Sequence, residues 1–336
     1  MILTYTCRVE TFVVSPPLFK DLMKTRKPSE HGKCLFSCFS RFVLLCFTSL
    51  LFISHIGAQT TTRQLSISIV DFGSSTFAAL ATERLRLSLK SANDVSVHDM
   101  ELSRAAARGS GYEGSLNMSL GEARDLGAAL GSDFYLIGDA QTLRRSSSSK
   151  PVFYESYCSI FVISSRSGRL VHWDRPSFQA DSPGETEKQL LAALADSGLL
   201  HQLLTVIKRA ESDERTERAI VLDTVHLIEE APDDERVAEA QGLRLPRPFR
   251  RFRPEYPDSA AKADAEATVD VLVDVGTDGK VGQVEIVRWA GFGLDEATTA
   301  TVRQLHFFPA MRNGTAVPLR VLLRYNFRKN RKTVIP

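Results

Sequence analysis

The sequence predicts an α+β protein: an N-terminal α/β layer domain, then a small domain in which one helix covers a three-stranded antiparallel sheet in the order β-β-α-β. Three observations predict it. Val269, Val271, Val273 and Val275 alternate with Asp270 and Asp274, the period-two signature of a strand with one buried face. Thr277, Asp278, Gly279 and Lys280 follow, and Asp-Gly supplies the positive φ that a tight hairpin turn requires. Between residues 63 and 209, strand-like and helix-like stretches alternate, as they do where helices cover a sheet.

The first domain opens with Leu65, Ile67 and Ile69 alternating with polar residues, and Val70, Asp71, Phe72 and Gly73 end that strand in a turn. Phe77, Leu80, Ala81 and Leu85 recur at helical spacing, and residues 94–97 form a short second strand. Residues 120–130 predict a helix stopped at Gly131, and residues 134–138 a buried strand. A polar loop, Ser146 to Ser149, precedes strands at residues 159–164 and 170–173, joined by a turn at Ser167 and Gly168. One apolar-periodic helix carrying Leu190, Leu194, Leu203 and Ile207 closes the domain.

Residues 210–247 are rich in charge and read as a partly helical linker. The last domain spans residues 248–327, before a basic tail at residues 328–336. Val284 and Ile286 continue the hairpin. Leu294, Ala297, Val302 and Leu305 make the apolar stripe of a helix, with Asp295 and Glu296 in its first turn at the positive end of the dipole. Phe307 and Phe308 before Pro309 read as core plugs, and Asn313-Gly314 turns the chain into a last strand. There Val317, Leu319, Val321, Leu323, Tyr325 and Phe327 share one face, with Arg320, Arg324 and Asn326 opposite.

Composition excludes several classes. The 336 residues are 43% hydrophobic and 24% charged, enough for a sizeable core, and a net charge of +2 selects no polyanion as partner. Of five cysteines only Cys158 lies beyond residue 46, so the body of the protein has no internal disulfide framework. Residues 42–53 are apolar and charge-free, about the length of a signal-peptide core and shorter than the ~20 residues of a spanning helix. Basic residues precede this run, and Gly57-Ala58 before Gln59 resembles a cleavage site. Residues 1–58 therefore read as a secretory signal, or alternatively an uncleaved anchor, with translation expected to start at Met23. Either reading places the body outside the cytoplasm, in the periplasm or cell envelope.

Catalytic signatures are weak. His306 has no metal-ligating neighbour at a usable spacing and reads as a helix-end charge; His31, His55, His98, His172, His201 and His226 stand singly. Gly73, Ser74 and Ser75 read as a tight turn, since the Gly-Lys-Ser/Thr of a phosphate-binding loop is missing. Cys158, in a strand, reads as buried. No enzyme activity, cofactor or metal is expected. The alternative is an enzyme, a hydrolase or phosphate-binding protein, housed in the α/β domain with Asp71, Ser74 and Asp139 at strand ends. Arg244, Arg247, Arg250, Arg251 and Arg253, interleaved with Phe249, Phe252 and Tyr256, read as a solvated arm, with lipid headgroups the alternative partner and nucleic acid excluded by a location outside the cytoplasm. A three-stranded sheet also has edges, and a bare edge accepts an extended peptide through main-chain hydrogen bonds. Arg320 and Arg324 on the last strand either steer an acidic peptide or are solvated charges that blunt the edge.

Pro254, Glu255, Tyr256 and Pro257 with Ala260, the valine-rich strand, Asp278-Gly279-Lys280-Val281, Leu294-Asp295, Phe308-Pro309-Ala310 and Asn313-Gly314 together resemble the C-terminal domain of the TonB family of periplasmic energy transducers. The resemblance implies capture of a peptide from an outer-membrane receptor, or from a periplasmic protein, by strand addition, and by extension a part in energy-coupled transmembrane transport. By position it assigns partner contacts to Arg253, Tyr256, Arg320, Val321, Leu322, Leu323, Arg324 and Tyr325. Inner-membrane motor proteins are implied only if the anchor is kept; a homodimer also stays open. Two features depart from the family: Leu51 stands four residues before His55 where its motor-coupling helix has Ser, and a globular domain replaces its proline-rich rod. Ile69 to Phe72 and residues 126–138 more weakly resemble the CsgG and TolB N-terminal class of envelope domains, which implies assembly or interaction.

Overall fold

The computed structural model describes residues 64–147, 151–221, 228–232 and 234–328. The apolar run at residues 42–53, the site after Ala58, the cysteines before residue 47, residues 148–150 of the polar loop and the tail from residue 329 lie outside the described residues.

The first half runs β1 (Leu65–Ile69), α1 (Thr76–Lys90), β2 (Val95–Val97), α2 (Met100–Gly109), β3 (Met118–Ser119), α3 (Leu120–Leu130), β4 (Phe134–Arg145), β5 (Phe153–Ser164), β6 (Leu170–Asp174), β7 (Ser177–Ala180), α4 (Pro183–Ala193) and α5 (Ser197–Val221). Its sheet is ordered β2-β1-β4-β5-β6, with β7 also on β5; β1 is parallel to both of its neighbours. Phe134 and Leu136 face α1, α4 and α5, while Tyr135 and Ile137 face α2, α3 and the second half. Burial on both faces explains the unbroken apolar run at residues 134–137. Local chemistry sets the helix starts. Ser75 accepts the Ala78 N–H at α1, and Ser119 and Glu122 cap α3 reciprocally.

Four features differ from expectation. β4 and β5 form a twelve-residue ribbon in one-to-one register from Phe134↔Ser164 to Arg145↔Phe153, so β4 runs well past Gly138. Its outer half is polar and gives no buried-strand signal. Helix α2 was not expected because Leu102 is exposed; its start is set by Asp99, which accepts the N–H groups of Glu101 and Leu102. The single closing helix is two, broken where Asp196 accepts the Gly198 N–H. The second part of the expected linker, up to residue 247, supplies α6 (Glu235–Ala240), β8 (Leu243–Arg244) and the start of β9 (Arg247–Pro248), and Ala238 and Leu243 pack with Ala310 and Leu319.

The second half continues with α7 (Asp258–Ala263), β10 (Ala267–Val275), β11 (Val281–Trp289), α8 (Leu294–Val302), β12 (Phe307–Phe308), β13 (Ala310–Arg312), β14 (Thr315–Val317) and β15 (Leu319–Phe327). The main sheet is ordered β15-β10-β11-β3, so the expected three strands gain a fourth from the first half. At the hairpin Gly279 has φ 76°, and a side chain there would run into the Phe307 carbonyl. Phe307 is buried but Phe308 is 60% exposed, because successive strand residues point to opposite faces; Phe308 is not a core plug.

One core joins the two expected domains, and contacts gather the described residues into one unit. Trp289 is 2% exposed, its indole N–H donates to the Gly168 carbonyl at 2.9 Å, and its ring lies 6.0 Å from that of Phe161. Phe292 meets Phe161 edge-on at 5.3 Å. Gly291, at φ 69°, lets this loop approach, since a side chain there would come within 2.5 Å of the Phe161 ring. Asp295 holds the loop by accepting the Gly291 N–H at 2.8 Å, while burial pushes its carboxyl up to about 7. The Asn117 side chain donates to the carbonyls of Thr268 and Trp289 and accepts the Thr268 N–H, standing in for a strand residue.

Candidate binding edge

Strand β15 is the outermost strand of its sheet. It pairs with β10 without interruption from Val275↔Leu319 to Ala267↔Phe327. Antiparallel pairing turns the backbone groups of alternate residues toward the neighbour and those between them away. Arg320 identifies the outward set: its N–H donates to the Glu229 carbonyl, and its carbonyl accepts the Ala231 N–H, both at 2.8 Å. The outward groups are therefore those of Arg320, Leu322, Arg324 and Asn326, while Val321, Leu323 and Tyr325 face β10. Among the described residues, no backbone partner meets the outward groups of Leu322, Arg324 or Asn326. Leu322 is also exposed. At the opposite side of the sheet, β3 pairs with Arg288 and Trp289.

The side chains do not act as expected. Arg320 grips Asp274 through two hydrogen bonds of 2.6 and 3.0 Å, and Arg324 grips Asp270 through two of 2.7 and 3.0 Å. Hydrogen bonding to these carboxylates raises both guanidinium pKa values above their ordinary range. Neither arginine is a free cation for steering an acidic peptide: each covers a carboxylate on the neighbouring strand. The spacing carried the signal, because 270/274 and 320/324 are matched steps of four on strands that pair. Asp274 is only 6% exposed, so Arg320→Ala leaves a buried carboxylate without its guanidinium and is expected to cost about 1–3 kcal/mol. Urea unfolding measures this, and Asp274→Asn in the same chain should recover part of the loss. An exposed ion pair would cost less than about 1 kcal/mol.

The other predicted contacts separate. Tyr256 is half-buried, donates its hydroxyl to the Ala265 carbonyl at 2.7 Å and sets its ring 6.4 Å from that of Phe327. It supports the far end of β15 from within. Arg253, three residues upstream, is exposed and has no ion pair among the described residues. Val321, Leu323 and Tyr325 pack against the helix-side core. The contact at Glu229–Ala231 was invisible in the sequence, since nothing local ties a charged segment to a strand ninety residues on.

Two of the three side chains named for the enzyme alternative are paired within the protein. Asp71 takes two hydrogen bonds from Arg104, at 2.7 and 2.9 Å, and Asp139 accepts the Tyr157 hydroxyl at 2.7 Å. Ser74 sits in the turn before the Ser75 cap. Cys158 is buried, which pushes its thiol pKa up.

No curated protein matches the chain. Among solved structures it is similar to the TonB C-terminal domain of Pseudomonas aeruginosa, at 20% identity over 26% of this chain and 89% of that one, TM-score 0.23. It is also similar to the LpoB C-terminal domain of Salmonella enterica, at 16% identity over 37% and 88%, TM-score 0.26. A third likeness is lipoprotein GNA1162 of Neisseria meningitidis, at 13% identity over 44% and 99%, TM-score 0.25. The family model described as Gram-negative bacterial TonB protein C-terminal matches residues 253–328, so the chain carries a C-terminal domain of the TonB type.

Proposed function

We propose that this chain is a non-enzymatic protein of the Gram-negative envelope that binds an extended peptide by strand addition to the outer edge of β15. The peptide comes from an outer-membrane receptor or a periplasmic protein. The observation that carries the reading is the run of outward, unpartnered backbone groups at Leu322, Arg324 and Asn326. A geometric precedent lies in the chain itself, because Glu229 and Ala231 already pair with the first position of that edge, in the parallel sense. The TonB family match over residues 253–328 supports the source of the peptide. A role in energy-coupled transport needs, in addition, a retained membrane anchor.

Strand addition has a signature that side-chain recognition lacks. Only alternate amides of the incoming peptide face the receiving edge. Titration of the full chain with N-terminal peptides of outer-membrane receptors should give a Kd on the order of micromolar. N-methylation of one alternate set of peptide amides should abolish binding, and methylation of the other set should leave it. Equal effects of the two sets, or no binding by any envelope peptide, would end the proposal.

A further inference from the structure

The arm that leads into the C-terminal domain presents a second surface, apart from the outer edge of β15. Residues 247–253 read Arg-Pro-Phe-Arg-Arg-Phe-Arg, four arginines with no acid among them. Arg247 pairs with Glu235, whereas Arg250, Arg251 and Arg253 have no ion pair among the described residues. Phe249 and Phe252 are 55% and 44% exposed, and Phe308 beside Phe249 is 60% exposed. The Phe249 and Phe308 rings meet edge-on at 4.2 Å. Their contact is fixed by the backbone: β9 pairs with β12, and the Phe249 N–H donates to the His306 carbonyl at 2.8 Å.

Three exposed phenylalanines, two on the arm and one on the strand stitched to it, stand among these cations. Arg and aromatic side chains are enriched at protein interfaces too, so the rings alone choose no partner; four arginines in seven residues with no acid among them call for a surface of dense negative charge. Cations and phenyl rings share the same seven residues, so the complementary surface carries both anionic and apolar matter. The boundary between headgroups and acyl chains of an anionic bilayer has that composition, and segments that lie in it mix basic and aromatic residues.

We infer that Phe249, Phe252 and Phe308, with Arg250, Arg251 and Arg253, form a docking surface for an anionic phospholipid bilayer. Arginine side chains take the headgroup phosphates while the rings enter the acyl boundary. Tyr256, which packs on Phe327, follows within three residues of the arm, so docking holds the end of β15 near the membrane surface.

The test uses trypsin, because Arg250 and Arg251 are exposed cleavage sites within the surface itself. In the full chain, vesicles of phosphatidylcholine and phosphatidylglycerol in equal parts should slow cleavage after Arg250 and Arg251 at least tenfold relative to pure phosphatidylcholine, with sites elsewhere unaffected. Attachment through residues 42–53 and the basic residues before them is the same in parent and variants, so the comparison between them isolates the arm. The pair Phe249→Ser with Phe252→Ser keeps both cleavage sites and should lose the protection, with an unchanged Tm because both rings are exposed. Replacing Arg250, Arg251 and Arg253 with Ser, read by spin-label contact with the bilayer, should weaken docking about a hundredfold, each charge contributing roughly fivefold. Equal cleavage with the two vesicles would overturn the inference. So would protection that survives the Phe pair, or equal protection by soluble polyglutamate or DNA without vesicles. Leu322→Pro should leave the protection intact, which separates failure here from failure of peptide binding.

Discussion

Leu322→Pro should reduce peptide affinity ten- to hundredfold while the chain stays folded. The Leu322 N–H points away from β10, so proline removes no bond of the existing ladder; it removes one donor from the outer edge and places its ring there. One net hydrogen bond contributes about 0.5–1.5 kcal/mol, close to tenfold in Kd at its upper end. The ring adds to this by keeping the incoming strand from the neighbouring positions. Val321→Pro is the informative contrast. Its N–H faces β10, so proline there breaks the ladder beside buried Val273 and should destabilise the domain itself. An edge that works through its backbone requires this asymmetry between adjacent residues. If Leu322→Pro binds as the parent does, β15 is not the receiving strand.

Trp289→Ala should be the most destabilising single change in the second half, costing about 3–5 kcal/mol for the lost ring. The Gly168 carbonyl would also lose its donor. For a unit of this size each kcal/mol corresponds to roughly 2–4 °C in Tm, so the transition should fall by about 6–20 °C. Because Trp289 packs on Phe161 of β5 and belongs to a core that reaches from Tyr135 to Val275, both halves should melt together in parent and variant. Trp289→Phe keeps most of the apolar surface but not the indole N–H, and should cost less than half as much. Two separate transitions in the parent, only one of them shifted by the variant, would show the halves to be independent.

Much of the second half was legible from the chain alone, because its signals are local. Valine alternation, the Asp-Gly turn, the stripe of α8 and the alternation after Asn313-Gly314 each report on a few consecutive residues, and β10, β11, α8 and β15 lie where these place them. Helix α3 was equally legible over residues 120–130 with its stop at Gly131. The parts that were not legible depend on residues far apart in sequence. Asn117 satisfies a strand a hundred and fifty residues later, and β3 has only two residues and no pattern of its own. Pairing of Arg320 with Asp274 needs the register of β10 on β15, which alternation alone leaves free to slip by two. Phe308 misled because two adjacent phenylalanines suggest a core, whereas a strand sends one of them outward. The edge itself was foreseeable as a class of site, but its open length was not, since the capping of Arg320 by Glu229–Ala231 is purely tertiary.

Residue-resolved amide hydrogen exchange, with and without a bound receptor peptide, tests the central claim most directly. In the free protein the N–H groups of Val321, Leu323 and Tyr325 should already be slow, because they face β10, and those of Leu322, Arg324 and Asn326 should be fast. Peptide binding should slow the second set and leave the first nearly unchanged. Slowing along β11 instead, or binding that leaves Leu322, Arg324 and Asn326 fast, would contradict the assignment of β15 as the strand that receives the partner.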